Sequence, residues 1–297
     1  MELRHLRYFI AVAEAGSLTE AAERRLYTSQ PSLSRQIRDL ESQVGVELLS
    51  RSVRGVELTD AGQAFLDQAR LVLMHVDAAV ESARRAAQPE GKTFTIGFQT
   101  GHEMNWLAPA MRVLHDELKD IQVTVSSDYS PDLAQALARG RLDLAFLRVE
   151  PGYDLEYHVV DREPLIVLMP SDHRLTTRAA VSPQEFVGQI FIGGSNKATV
   201  LRAVTEDYLR RSGLDIKLDH GVDNMAMAIS LVASTRGLAL MPAYAKNLLP
   251  PSVVSRPLEG DAPTIDIAVG YSKSNTSPVL KLFVSRVDEL VHLNRRH

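Results

Sequence analysis

Residues 60–88 contain no proline and one early glycine, and Phe65, Ala69, Val72, Val76, Ala79 and Ala83 recur through them at intervals of 4, 3, 4, 3 and 4. That is the a/d spacing of a helix that shares its apolar stripe with a second helix. The same stripe also suits a helix packed on its own domain. The segment ends on Gln88-Pro89-Glu90-Gly91, a cluster of breakers that marks a domain boundary. The chain therefore divides into an N-terminal module (1–59), a linker helix (60–88) and a larger C-terminal body (93–297). A length of 297 residues suits such a division, since domains run to about 100–200 residues.

The N-terminal module is punctuated at helix ends. Leu3, Leu6, Phe9, Ile10 and Ala13 keep helical spacing, and Gly16 follows as a residue able to turn left-handed. Ser17-Leu18-Thr19-Glu20 has the capping-box pattern that opens a second, short helix. Ala21 and Ala22 there permit close helix approach. Thr28 or Ser29 caps a third helix with Pro31 in its first turn. Leu33, Ile37, Leu40 and Val44 form its apolar face before Gly45 ends it. On the other face Gln30, Ser32, Ser34, Arg35 and Arg38 are short or forked donors suited to phosphate and to base edges in a major groove; they also read as a solvated polar face. Residues 48–58 read as a β-hairpin wing with Arg51 and Arg54, and Gly55 near its turn. An arginine at a wing tip can enter a narrow minor groove, and a solvated charge is the other reading.

The net charge of −4 excludes a chain that coats nucleic acid indiscriminately. Even residues 1–60 hold 8 Arg against 9 Asp and Glu. The first lysine is Lys92, so the side-chain cations before it are arginines, histidines aside. Arginine presents the planar fork that suits guanine and phosphate. A coding bias toward arginine, 26 against 7 lysines in the whole chain, explains the same count.

Taken together, ELRHLRYFIAVAEAGSLTEAA, SQPSLSRQIRDLE, VGVELLSR and LTDAG resemble the DNA-binding domain of LysR-type transcriptional regulators over about residues 1–62. The resemblance implies an α/β protein with an N-terminal winged helix-turn-helix, a long linker helix that pairs two chains, and a C-terminal two-lobed effector domain like a periplasmic binding protein. By the same resemblance Gln30, Pro31, Ser32, Arg35 and Arg54 match positions that meet DNA, Ser29 and Ser34 match positions near phosphates, and Arg51 is expected to be a phosphate contact. Two departures stand out. AAERRLYTSQ has one residue more between the alanine pair and Ser-Gln than the commonest family pattern, which bears on the turn before the third helix. Leu49-Ser50-Arg51 replaces Phe-x-Arg, with Leu49 expected to fill the core position.

In the C-terminal body, residues 93–98, 121–126, 142–147 and 164–169 read as strands, and 105–118, 131–139, 199–211 and 224–234 as helices. Such alternation argues for parallel α/β sheets, which bind ligands beyond their strand ends. Following the family, lobe one covers 93–164 and 268–297 and lobe two 165–267, joined by two crossing strands. RGRLDLAFLR and ISLVASTRGLALMP are similar to family segments, with Thr235 in place of the usual first glycine. Geometry and resemblance together nominate Thr100, Gly101, Ser130, Ser195, Asn196 and Thr199 at strand-to-helix turns, where N–H and hydroxyl groups could hold a carboxylate. Simple helix capping is the other reading of the Ser and Thr residues. Arg148 matches a position that holds a cation in relatives responding to aromatic acids; otherwise it reads as an exposed salt bridge. Trp106 and Met104 are candidates for a pocket wall, or in the case of Trp106 for the core. The start MELRHLRYFIAV is especially similar to the subgroup that regulates breakdown of aromatic compounds, which points to an aromatic or other small carboxylate effector.

With no cysteine, disulfides, thiolate zinc sites, iron–sulfur clusters and thiol catalysis are excluded. The nine histidines lack the i,i+3 and i,i+4 spacings of helical metal pairs, and no G-x-S-x-G or G-x-x-x-x-G-K-[ST] motif occurs. No enzyme activity, metal or cofactor is expected. No apolar run approaches a membrane span, and the N-terminus lacks signal-peptide character, so a cytoplasmic location is expected. The expected partners are double-stranded DNA with a partly palindromic operator, a small-molecule effector, a second or further copies of the chain (dimer or tetramer) and RNA polymerase, with activation and repression both open. A small-molecule binding protein without DNA function and an enzyme carrying a DNA-binding module are the rival readings.

Overall fold

In the computed structural model, which describes residues 1–52, 55–87, 92–115, 118–119 and 121–294, the chain falls into two units, Met1–Ala87 and Gln88–His297. The first begins with α1 (Leu3–Ala15), ended by Gly16 at φ 62°. Ser17 accepts a hydrogen bond from the Glu20 N–H and opens α2 (Leu18–Glu20), which continues as π-helix over Ala21–Leu26. Ser29 caps α3 (Gln30–Val44), accepting from the Ser32 N–H, with Pro31 in the first turn and Gly45 at φ 85° after the last. The core of this unit is Phe9, Val12, Ala21, Ala22, Leu33, Ile37, Leu40, Leu48, Leu49 and Leu66, so Leu49 does fill the position usually held by phenylalanine.

The wing is β1 (Leu49–Ser52) against β2 (Gly55–Leu58), antiparallel from Leu49↔Leu58 to Ser52↔Gly55. Two local devices aim it. The Glu41 carboxylate, in the last turn of α3, accepts from the Leu48 and Leu49 N–H groups at 2.9 and 3.0 Å. Gly55 lies against the Gly16 carbonyl, which accepts from the Val56 N–H at 2.9 Å; a Cβ on Gly55 would stand 2.7 Å from that oxygen.

LTDAG is the junction to α4 (Asp60–Ala86). Thr59 donates to the Glu47 carbonyl and accepts from the Gly62 N–H at 2.9 Å. Gly62 then passes so close to the Leu48 carbonyl that a Cβ would lie 1.9 Å from it. Gly62→Ala is therefore expected to destabilise this unit by about 2–3 kcal/mol through backbone displacement. DNA affinity should fall while the unfolding transition of Trp106, in the other unit, stays put.

The stripe on α4 divides. Phe65 meets Phe9 edge-on at 5.3 Å, Leu66 and Ala69 are buried, and Arg70 pairs with Glu14 at 2.9 Å. The expected seam is thus not a partner seam from its start, because Phe65 and Ala69 complete their own unit's core. From Val72 on the positions are open in the single chain: Val72, Ala79, Val80 and Ala83 are exposed and Val76 is half-buried.

The second unit holds two sheets joined by shared strands. In lobe one, β3 (Lys92–Gln99) runs parallel to β4 (Ile121–Asp128) and to β5 (Leu144–Leu147). In lobe two, β7 (Phe191–Gly194) runs parallel to β8 (His220–Val222) and β9 (Leu238–Pro242). Between them β6 (Leu155–Pro170) pairs through Pro164 with β11 (Thr264–Ser272) and from Leu165 on with β9 and β10 (Val253–Pro257), all antiparallel. β11 also runs antiparallel to β5. The sheets are therefore mixed rather than parallel, because β6, β10 and β11 are crossing or return strands and not parts of βαβ units. β6 and β11 slip register at Ile267/Ala268. β11 pairs with β6 from Pro164 back to Leu155; Ile265 packs in the core of lobe two and Ile267 in that of lobe one, so the return crossing lies between them.

Helices cover both faces. α5 (Glu103–Val113), α9 (Pro278–Ser285) and α10 (Val287–Asn294) bury Trp106, Phe146, Phe283 and Leu290 on one side of lobe one, and α6 (Ser130–Ala138) buries Leu133 and Leu137 on the other. α7 (Thr199–Arg211) and α8 (Met225–Thr235) do the same for lobe two. Asn224 caps α8, and the left-handed residue at its end is Arg236 (φ 61°), not Thr235, which stays helical and bonds back to the Leu231 carbonyl.

Candidate functional site

Two surfaces combine the nominated residues. The first is the outer face of α3. A helix turns 100° per residue, so burying Leu33, Ile37 and Leu40 leaves Gln30, Pro31, Ser32, Arg35 and Arg38 exposed. Arg4, Arg24, Arg25 and Arg70 have carboxylate partners. Arg35 and Arg38 have none among the described residues, so both forks are open to an outside acceptor. Ser29 is exposed beside them, its hydroxyl already capping the helix. Ser34 departs from expectation: it adjoins Leu33 on the inward arc and is buried rather than open to a phosphate. Arg51 lies in β1 with its side chain outside the described residues, and Arg54 lies outside them altogether.

The second surface is a cleft between the lobes around a cavity of about 70 Å³. Of the nominated residues it brings together Thr100, Ser130, Arg148 and Thr199. Ser130 is buried at the start of α6; its hydroxyl donates to the Gln99 side chain at 2.6 Å and accepts from the Arg148 N–H at 2.8 Å. Arg148 is not an exposed ion pair. Its guanidinium is buried, bonded to Glu163 at 2.8 Å and to the Asp266 carbonyl at 2.8 Å. His102, fully buried, completes this cluster at 3.2 Å from Glu163 and 3.3 Å from Arg148. Burial, helped by the Arg148 charge, pushes the His102 pKa down despite Glu163. Burial alone would raise Glu163, but His102 and Arg148 outweigh it and hold the carboxyl below its ordinary range.

The N–H groups expected to hold a carboxylate at the end of β3 are already occupied. Thr100 N–H donates to the Asp128 carbonyl at 3.1 Å and Gly101 N–H to the Glu103 carboxylate at 2.8 Å. Gly101, at φ 93°, lies outside the cleft lining under Tyr244. Ser195 and Asn196 are also outside it. Ser195 hydrogen-bonds Asp223, and Asn196 takes a hydrogen bond from Arg202. The Ser195 hydroxyl, with Lys197, holds the Asp223 carboxyl below its ordinary range.

Glu150 and Tyr244 escape sequence reasoning. Glu150 is buried and accepts from the Thr199 hydroxyl at 3.2 Å across the cleft. Tyr244 donates to the Thr100 carbonyl at 3.2 Å, also across the cleft, and packs on His102 with rings 4.2 Å apart; burial pushes its hydroxyl up to about 12. Both follow the C-terminal ends of strands, β5 and β9, the signal that marks ligand sites in such sheets. Trp106 is core, stacked on Phe146 at 5.5 Å, and Met104 is exposed. Among the described residues no cluster of His, Asp and Glu fits a metal ion, and no helix is long and apolar enough to cross a membrane.

A helix-turn-helix with a wing, a long helix and a two-lobed ligand domain define a one-component regulator of transcription. The chain matches the bacterial regulatory helix-turn-helix protein, lysR family, over residues 3–63 and the LysR substrate binding domain over 87–291. It belongs to the LysR family of DNA-binding transcriptional regulators. It is 35% identical to the Hca operon transcriptional activator HcaR of Escherichia coli over 97% of this chain and 98% of that one. It is 30% identical to the regulator AlsR of Bacillus subtilis over 96% and 94%. Among solved structures, full-length CbnR complexed with target DNA matches at TM-score 0.57 and 25% identity, covering 98% of this chain and all of that one. Full-length BenM matches at 0.58 and 27%, covering 99% and 98%.

Proposed function

We propose that this regulator binds a partly palindromic operator as a homo-oligomer, dimer or tetramer, and that a small carboxylate, aromatic in the favoured case, acts on it from the cleft. Gln30, Pro31, Ser32 and Arg35 read base edges, with Ser29, Arg51 and Arg54 at the backbone and minor groove. Val72, Val76, Ala79, Val80 and Ala83 supply the apolar side of α4 to a second chain, presenting two copies of α3 to two half-sites. The setting is the cytoplasm, the onward partner is RNA polymerase, and no cofactor takes part.

The observation that carries the effector reading is the start of α7. No side chain caps this helix, and its first residues, Thr199, Val200 and Leu201, line the cleft. Uncapped N–H groups at a helix start favour an anion. The test is a thermal-shift series on the full chain with benzoate, cyclohexanecarboxylate and acetate, followed by footprinting on the DNA upstream of its own gene. Benzoate is expected to raise the melting temperature most and to alter the footprint. No shift with any of the three would sink the carboxylate reading.

Glu150 opposes such a ligand. Burial raises its pKa above the ordinary 4.5, the Thr199 hydroxyl only partly offsetting this. A raised carboxyl binds its proton more tightly when folded, so its contribution is fully present below 4.5 and lost as pH rises through the folded value. Glu150→Gln is therefore expected to raise the melting temperature at neutral pH, flatten its decline above 4.5 and tighten benzoate binding. An unchanged pH profile in melts of the two proteins would contradict the assignment.

A further inference from the structure

The extra residue of AAERRLYTSQ has a structural destination. Ala21–Leu26 is wound as π-helix, in which the Tyr27 N–H reaches the Ala22 carbonyl five residues back, and the Thr28 N–H shares that oxygen at 3.0 Å. A π-turn absorbs one residue more than an α-turn, and such bulges are frequent at functional sites. Here it keeps Ala21 and Ala22 in the core and Ser29 at the cap of α3. The surplus surfaces at Tyr27, which adopts φ 49° and ψ 44°, a left-handed conformation unusual for a bulky side chain. The Tyr27 side chain is 90% exposed and makes no hydrogen bond or ring contact among the described residues. It stands two residues before the cap of α3, next to exposed Ser29, Gln30, Pro31 and Ser32, at the end of the helix that in this motif meets DNA.

We propose that Tyr27 is a DNA-contact residue whose phenolic hydroxyl donates to a backbone phosphate beside the groove that receives α3. Tyrosine hydroxyls are regular donors to phosphate, and the contact fixes position without reading sequence. The inference rests on α3 as the reading helix, so Arg35→Ala serves as the reference. Full-length wild type, Tyr27→Phe, Tyr27→Gly and Arg35→Ala are titrated onto the duplex upstream of its own gene and onto a random-sequence duplex at low salt. Glycine takes the left-handed conformation freely, so Tyr27→Gly should melt no lower than wild type. Both Tyr27 variants are expected to weaken binding to both duplexes by the same factor, about five- to tenfold, leaving the preference between them unchanged. Arg35→Ala is expected to reduce that preference. Wild-type affinity in Tyr27→Phe, with Arg35→Ala impaired, overturns the Tyr27 proposal alone. An unaffected Arg35→Ala overturns the reading of α3 and the Tyr27 contact with it.

Discussion

Glu163→Ala is expected to destabilise the C-terminal unit by about 3–5 kcal/mol, because it leaves the Arg148 guanidinium buried without its counter-charge. The two side chains are 7% and 6% exposed, and the imidazole of the neighbouring His102 cannot supply the negative charge of a carboxylate. Trp106, the single tryptophan, lies in the lobe-one core and reports this unit selectively in a denaturant titration. Removing both charges is expected to cost much less than removing one. Arg148→Met with Glu163→Leu should recover most of the lost stability, since a well-packed apolar pair often equals a buried ion pair. A double variant no more stable than Glu163→Ala would contradict the account. The pH dependence has a sign too. The folded Glu163 carboxyl titrates below the ordinary 4.5, so its contribution is present above 4.5 and lost as pH falls through the folded value.

The second large effect falls on DNA. Arg35→Ala is expected to cost about 1–3 kcal/mol at each half-site and to relax base preference, as loss of a bidentate base contact does. The physical ground is that Arg35 is exposed and has no ion-pair partner among the described residues, whereas neighbouring arginines of the same module are engaged by Glu2, Glu14 and Glu20. Arg38, one turn on, is equally open. Its replacement by Ala is expected to weaken all sequences alike and to lower the salt slope by about one unit.

What the sequence disclosed was whatever local chemistry decides. Gly16, Ser17, Ser29, Gly45 and Asn224 end or cap helices with their own atoms, so α1, α3 and α8 lie within about a residue of their expected places. The first half of β6 was not legible. Its run of Glu156, His158, Asp161, Arg162 and Glu163 lacks a strand's apolar alternation, so the strand read from the sequence starts only at Pro164. In the fold that proline is where β6 changes sheets. Ser34 was misplaced because a turn of one residue on α3 separates the DNA side from the core. Gly101, Ser195 and Asn196 read as ligand donors because sequence does not reveal that Glu103, Asp223 and Arg202 already engage them. Glu150 and Tyr244 belong to the cleft only because the fold brings the ends of β5 and β9 together.

The most direct test of the central claim, that α3 gives this regulator its sequence preference, is fluorescence anisotropy on the DNA upstream of its own gene against a scrambled duplex. Wild type and Arg35→Ala are compared at low and near-physiological salt. Preference for the upstream DNA that survives salt in wild type and collapses in Arg35→Ala is the predicted result. Equal binding to both duplexes in the two proteins, lost together as salt rises, would contradict it.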